Sequence, residues 1–372
     1  MSRILFAGGG TGGHVYPALA VAEALGDCEM LFVGSRRGIE KRIVASAGYD
    51  YEGLRVDGFH RRWTFRNLLF PARTTAAFAA ALRLIRRFRP HVVVGTGGFA
   101  SGPPVLAAQV CRLPTLLQEQ NAYPGITTRL LARRCSELHI AFPEAAEHLS
   151  SSARRHLHVT GNPVRSSLLA ELAGVGDAPK SGDLEARDLP TVLVMGGSQG
   201  SRILNRAVLR FIADLETPFP RFRMLWSTGA ALYDEVRGEL PSEIPIEVSL
   251  YPYLDDMASA YRDANLVVCR AGAITCAELA LVGRPAVLVP LASAAGDHQR
   301  FNSESLARAG AAAVIEEKRV GGTGVLRDVV LPLLADGAMR ESMANASRAL
   351  ARPEAATQIA ERVRDLAEQR RG

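Results

Sequence analysis

The chain has 372 residues, 48% apolar and 22% charged; this is a globular composition, too long for one ordinary core, so two domains are expected. A net charge of +6, from 44 Lys and Arg against 38 Asp and Glu, suits anionic ligands, an anionic membrane surface or nucleic acid without choosing among them. No nucleic-acid module is legible, and the five cysteines (Cys28, Cys111, Cys135, Cys269, Cys276) lack metal-type spacing and read as buried thiols of a reducing compartment.

Met1-Ser2-Arg3 runs directly into the first strand, Ile4 to Ala7, so no secretory signal is read. That strand breaks into Gly8-Gly9-Gly10-Thr11-Gly12-Gly13-His14 before an apolar helix from Pro17 to Leu25. Such a unit presents backbone N–H groups and the positive end of a helix dipole to anionic oxygens, and glycine lets the ligand reach the backbone. His14 ends the loop where the dipole favours neutral imidazole, the form that accepts a proton; it reads either as a base or as a loop-bonding residue. The second strand, Leu31 to Val33, ends in Gly34-Ser35-Arg36-Arg37 without the carboxylate a dehydrogenase uses for ribose, although the arginines leave an NADP oxidoreductase open.

Arg61-Arg62-Trp63, Arg66, Leu68-Leu69-Phe70, Arg73 and Phe78 then mix cations with bulky apolar groups. They read either as an interfacial membrane surface or as an amphipathic helix packing inward. The strand His91 to Val94 meets a second glycine turn, Gly95 to Gly98. The uncharged stretch Val92 to Cys111 carries too much Gly and Pro to span a bilayer. Thr115 to Leu117 leads into Gln118-Glu119-Gln120-Asn121, polar groups suited to sugar hydroxyls, and Leu138 to Ala141 and Leu157 to Thr160 follow. A seam is expected at Gly161-Asn162-Pro163-Val164, and Leu172 to Pro190 reads as a surface loop.

The same grammar then repeats: Thr191 to Met195 runs into Gly196-Gly197-Ser198-Gln199-Gly200 and a helix, followed by strands at Arg223 to Ser227 and Ile246 to Leu250. Leu266 to Cys269 ends in Arg270-Ala271-Gly272, with a helix start at Ala273-Ile274-Thr275 that reads as a second phosphate-type element. Glu278, one turn further, suits a ribose diol or a cap for Thr275. Ala286 to Val289 precedes Asp297-His298-Gln299-Arg300-Phe301-Asn302, and Ala313 to Glu316 is the last strand. Alternating strands and helices in two sets predict two doubly wound parallel sheets, with ligands in the cleft where their carboxyl ends face each other. Asp255-Asp256 are adjacent and form no Asp-x-Asp pair, so no protein-bound metal is expected; Mg2+ enters only as a counter-ion of diphosphates.

Together these motifs resemble the MurG family of N-acetylglucosaminyltransferases over essentially the whole chain. The marks are Gly9-Gly10-Thr11-Gly12-Gly13-His14 with Pro17-Ala18, Gly97-Gly98-Phe99-Ala100-Ser101-Gly102-Pro103, Glu119-Gln120-Asn121 and Gly161-Asn162-Pro163-Val164-Arg165. They continue through Gly196-Gly197-Ser198-Gln199-Gly200, Asp255-Asp256-Met257, Arg270-Ala271-Gly272-Ala273 and Asp297-His298-Gln299. The resemblance implies an α/β GT-B fold with residues 1–163 facing acceptor and membrane, 164–350 binding UDP-sugar, and a C-terminal helix in 351–372 crossing back to the first domain. It implies UDP-N-acetylglucosamine as donor, lipid I (undecaprenyl-diphosphate-linked muramoyl pentapeptide) as acceptor, and a peripheral place on the cytoplasmic face of the bacterial membrane. Donor contacts would come from Thr11, Gly12, Gly13, Asn121, Arg165, Ser198, Leu254, Ala273, Ile274, Thr275, Glu278 and Gln299. Acceptor contacts would come from Gly9, Gly10, Gly97, Gly98 and Ser101, with His14 as the base. Departures are Thr128 for a frequent asparagine, Gly296 for a frequent aspartate and Ala271 for a frequent serine. The alternatives are another GT-B transferase with a lipid acceptor (diacylglycerol glucosyltransferase type), the NADP oxidoreductase, and a non-catalytic nucleotide-sugar sensor.

Overall fold

The computed structural model describes residues 1–36, 38–56, 70–173, 189–197 and 199–371. The chain forms two compact units, Met1–Ser166 with Arg352–Gly372, and Ser167–Ala351.

The first unit is a parallel seven-stranded sheet in the order β3-β2-β1-β4-β5-β6-β7. Its strands are β1 Arg3–Ala7, β2 Glu29–Ser35, β3 Asp50–Leu54, β4 Val92–Gly95, β5 Thr115–Glu119, β6 Glu137–Ile140 and β7 Leu157–Val159. Side-chain alternation along β1 and β4 builds two cores. Leu5, Ala7 and Val93 face one side with Ala81, Leu84 and Val105. Ile4, Phe6, Val92 and Val94 face the other, with Val15, Leu19 and the C-terminal Ile359 and Val363. β3 is absent from the sequence reading because Asp50-Tyr51-Glu52-Gly53-Leu54 is an edge strand with only Leu54 buried, so it carries no apolar run.

The second unit is a parallel six-stranded sheet in the order β10-β9-β8-β11-β12-β13. Its strands are β8 Thr191–Met195, β9 Arg223–Ser227, β10 Glu247–Tyr251, β11 Leu266–Cys269, β12 Ala286–Leu288 and β13 Ala312–Val314. Val192, Val194, Trp226, Val268 and Val287 pack against Leu204, Val208, Phe211 and Val330. In each sheet the strand order reverses beside the first strand, between β1 and β4 and between β8 and β11. These are the switch points where open parallel sheets leave a crevice at their carboxyl ends. The four glycine-containing motifs follow these four strands.

The C-terminal helix, Ala355–Arg371, belongs to the first unit and lies along the helix Gly12–Leu25. Ile359, Val363, Leu366 and Ala367 recur at helical spacing and are buried there. Arg364 donates to the carbonyls of Ala24 and Leu25 at 2.7 and 3.1 Å, satisfying orphan acceptors at that helix's end. Glu137 accepts from His139 Nε2 at 3.0 Å and from Arg362 on both carboxylate oxygens. Glu137, His139 and His158 put donor atoms within 4.8 Å of one another, a metal-like spacing, but the Arg362 guanidinium already holds the carboxylate.

Burial works to raise the Glu137 carboxyl, yet the bonds from His139 and Arg362 outweigh it and hold it at about 2, while burial depresses His139. Both groups bind fewer protons folded than unfolded. Their contribution is whole above the ordinary values of 6.5 for His139 and 4.5 for Glu137, and drains away as pH falls, for Glu137 between 4.5 and about 2. The protection factors of amides in 355–371, corrected for intrinsic exchange, are therefore expected to fall on acidification through that range. Arg362→Ala should lower them at neutral pH by on the order of 2 kcal/mol, less than the ~3–5 of a fully buried pair because Arg362 is 44% exposed. Unchanged exchange in the variant at neutral pH would remove the clasp.

Candidate active site

In the first unit the loop after β1 and the turn after β4 are built against each other. Ala7 pairs with Gly95 in register, so Gly8 and Thr96 leave the sheet side by side. Gly98 has φ +76°, and a Cβ there would lie 2.0 Å from the Gly9 carbonyl; Gly97, at φ +92°, would put one 2.9 Å from His14 Nδ1. The second glycine turn thus seats the first loop and the His14 ring, which only glycine at both positions permits. Ser101 is buried and donates to the Gly98 carbonyl at 2.9 Å, shaping the same turn. Gly10, Thr11 and Gly13 are exposed, and no side chain caps the start of Gly12–Leu25, so its leading amides remain suited to an anion.

His14 is half-buried, and its carbonyl accepts from Thr96 Oγ1 at 2.7 Å. Its Nδ1 lies 2.9 Å from Gln120 Oε1. Gln120 donates through Nε2 to the carbonyls of Thr96 (2.9 Å) and Gln118 (3.2 Å) and to Gln118 Oε1. Gln118 Nε2 donates to Asn162 Oδ1 at 3.1 Å, and Asn162 Nδ2 returns to the Gln120 carbonyl at 3.0 Å. Glu119 accepts from the backbone N–H of Asn121 and Gly125 at 3.1 and 3.0 Å, and from Asn121 Nδ2 at 3.2 Å. The sequence reading offered all four residues after Leu117 to a sugar. The structure corrects this: Gln118, Glu119 and Gln120 are buried in their own network, and Asn121 alone is half-exposed. Arg165, exposed in this unit, lies over the Tyr16 ring at 5.2 Å.

In the second unit the two glycine-type loops differ. The helix after Gly200, Arg202–Ala213, is capped by Ser201, whose Oγ accepts from Leu204 N at 3.3 Å and from Arg270 at 2.6 Å. The helix Ala273–Val282 carries no side-chain cap at Gly272, so the start at Ala273, Ile274 and Thr275 is the better anion site here. Buried Arg270, named in the sequence reading but given no role there, ties these loops to the Val289 carbonyl and Glu317, and Glu317 accepts from Ala292 N. Glu278 is half-buried on that helix and accepts from Tyr261 at 2.9 Å. Cys269 and Cys276 are fully buried, and burial with the Glu278 charge pushes both thiols up, Cys276 to about 12, so neither supplies a thiolate nucleophile.

Of the segment after β12, Gln299 accepts Leu291 N at 2.9 Å and keeps Nε2 without a partner among the described residues. Asn302 is buried on the Ala271 carbonyl, Arg300 pairs with Asp297 and Glu304, and only part of the segment is left for a sugar. Gly296, at φ +65°, sits in a left-handed turn that glycine suits. Leu254 is half-exposed in the loop before the helix Met257–Asp263, which Asp256 caps through Ser259 N at 2.8 Å. Ser198, Arg66, Leu68, Leu69 and the side chain of Phe70 lie outside the described residues, as do Arg61, Arg62 and Trp63. Phe78, on the helix Phe70–Phe88, is half-buried against the first unit's core, the inward of its two readings, and Arg73 is half-exposed.

Two tandem doubly wound parallel-sheet units, each with ligand-type loops at its switch point and the last helix returned to the first, make up the GT-B fold. The models for the glycosyltransferase family 28 N-terminal and C-terminal domains match residues 4–140 and 191–363. The UDP-N-acetylglucosamine--N-acetylmuramyl-(pentapeptide) pyrophosphoryl-undecaprenol N-acetylglucosamine transferase of Salinibacter ruber is 41% identical, covering 99% of this chain and 98% of its own. The protein of that name from Chlorobium luteolum is 42% identical, covering 99% and 100%. A crystal structure of MurG from Acinetobacter baumannii superposes with a TM-score of 0.79 at 27% identity, covering 98% of this chain and 100% of that one. The chain belongs to glycosyltransferase family 28, and within it to the MurG family.

Proposed function

We propose that this chain is an inverting hexosyltransferase that moves N-acetylglucosamine from UDP-N-acetylglucosamine to the muramoyl 4-hydroxyl of lipid I, giving lipid II for peptidoglycan. The full-length 41% identity to relatives named for that transfer carries the reading, and the site supplies the chemistry. His14 Nε2 takes the proton of the attacking hydroxyl, the oxygen bonds to the anomeric carbon from the face opposite the diphosphate, and UDP departs with the bonding electron pair. The uncapped start of Ala273–Val282 meets the donor diphosphate, with Ser198 and Arg165, and Glu278 holds the ribose beside Leu254. Gln299 Nε2 and Asn121 read the sugar, with Thr11, Gly12 and Gly13 near it. Gly9, Gly10, Gly97, Gly98 and Ser101 form or shape the acceptor's diphosphate loop. Backbone amides do the work of a metal, and Mg2+ serves only as a diphosphate counter-ion.

Among the described residues no helix is long and apolar enough to cross a bilayer. A lipid-linked acceptor calls instead for a peripheral surface on the cytoplasmic face of the membrane. Leu106 and Val110 on one helix and Ile126 and Leu130 on the next are 38%, 58%, 55% and 63% exposed, one helical turn apart in each pair. Exposed Arg133 and Arg134 follow them, and the mixture suits anionic lipid, alongside Arg66, Leu68, Leu69, Phe70 and Arg73.

The test is turnover of UDP-N-acetylglucosamine with a lipid I analogue in anionic vesicles. A β-linked disaccharide lipid and stoichiometric UDP are expected, with the enzyme sedimenting with the vesicles. Donor binding without transfer would leave a nucleotide-sugar sensor, and transfer only to diacylglycerol would favour the other GT-B reading.

A further inference from the structure

We infer that Gln120 is a positioning residue that fixes the tautomer of His14, leaving Nε2 as the bare, proton-accepting nitrogen. The inference rests on the reading of His14 as the base and deepens it.

An amide can be turned end for end and an imidazole carries its proton on either nitrogen, so a contact between them is ambiguous by itself. Here the ambiguity is removed by backbone carbonyls, which only accept. The Gln120 carbonyl takes a bond from Asn162 at 3.0 Å, so the Asn162 nitrogen faces it and Oδ1 faces Gln118. Gln118 must then donate through Nε2, at 3.1 Å, and turn Oε1 toward Gln120. Gln120 in turn must point Nε2 at Gln118 Oε1 and at the carbonyls of Thr96 and Gln118, 2.9 and 3.2 Å away. Reversing Gln120 would set its oxygen against three acceptors at once. Its Oε1 is therefore fixed on His14 Nδ1 at 2.9 Å, and Nδ1 must carry the hydrogen.

The relay is buried: Gln118 and Gln120 are each 1% exposed and Asn162 is 4% exposed. Water cannot compete for these groups, and a reversed amide would leave buried acceptors facing acceptors with no donor between them. Thr96 Oγ1 on the His14 carbonyl and the tight approach of Gly97 to the ring hold the imidazole in place while the relay orients it. The partner is a neutral amide. Gln120 thus orients the ring and selects its tautomer without adding negative charge behind it.

The experiment has two readouts. Two-bond 1H–15N correlation of His14 in the full-length wild type should show the neutral ring with hydrogen on Nδ1 and Nε2 bare. A predominantly Nε2–H neutral ring would overturn the proposal whatever the kinetics. Gln120→Met keeps the length and burial of the side chain and removes the acceptor. It should admit the Nε2–H form and lower kcat by roughly 10–100-fold, within the range of a general-base contribution, at unchanged donor KM. A Gln120→Met enzyme with wild-type kcat and an Nδ1–H ring would equally overturn it. If the variant does not fold, the wild-type spectrum still decides. Should His14→Ala retain full turnover while the wild-type ring is Nδ1–H, the base reading fails and the tautomer assignment stands.

Discussion

His14→Ala is expected to lower kcat by roughly 10²–10⁴-fold while the donor dissociation constant stays within about twofold of wild type. The asymmetry follows from where His14 sits. It lies in the first unit at the mouth of β1, whereas Glu278, Gln299 and the uncapped start of Ala273–Val282 lie in the second. The imidazole is held by a backbone bond through Thr96 and a ring bond to Gln120, and among the described residues it is not spent on a structural ion pair. On the proposed reading its loss removes the proton acceptor for the attacking hydroxyl, and little that a resting nucleotide-sugar feels. His14→Gln separates the two roles weighed for this residue, because glutamine keeps hydrogen-bonding capacity toward the loop and lacks a basic nitrogen. Kinetics as poor as those of alanine are expected. Single-turnover rates with both substrates saturating, set beside calorimetric UDP-N-acetylglucosamine binding, measure the split. Near-normal turnover in either variant would reduce His14 to a loop-positioning residue.

The backbone of this fold was largely readable before any coordinates, for a plain physical reason. Parallel strands become short apolar, β-branched runs, and twelve such runs stand out between amphipathic stretches. The exception, Asp50–Leu54, is an edge strand whose side chains are mostly half-exposed, and without an apolar run it has no such signature. The glycine motifs were legible too, because the backbone bends them at the carboxyl ends of the strands beside each switch point. What sequence could not tell was which way a polar side chain turns. Gln118, Glu119 and Gln120 have the composition of a sugar-binding loop, and the sheet buries them instead. Asn302 lies in a segment with the polar composition of a sugar-binding loop, and holds the Ala271 carbonyl instead. For Gln118 and Asn302 the deciding partner is far away in sequence, 44 residues for Gln118 and Asn162, 31 for Asn302 and Ala271. Local spacing carries no trace of such pairs.

Glu278→Ala should do the opposite of His14→Ala, raising the donor KM about 10- to 100-fold while kcat at saturating donor falls little. Hydrogen bonds to a charged acceptor contribute about 1.5–3 kcal/mol, and a ribose diol offers two donors to one carboxylate. The capping alternative is excluded by position: the N-cap is Gly272, and Glu278 is the sixth residue of the helix, beyond the third position a capping box uses. The carboxylate is instead aimed by Tyr261, whose hydroxyl donates to Oε2 at 2.9 Å. Burial, then the charge of Glu278, pushes that phenol well above its ordinary value, so it remains a donor at any pH the enzyme meets. Tyr261→Phe keeps the carboxylate but loses its orientation. It should weaken donor binding by about fivefold, the ~1 kcal/mol of one hydrogen bond. Glu278→Gln should fall between the two, since an amide oxygen accepts one ribose hydroxyl without the charge. If Glu278→Ala instead depressed kcat at an unchanged KM, the carboxylate would belong to the reacting centre and not to the ribose, and the donor would have to lie differently on this unit.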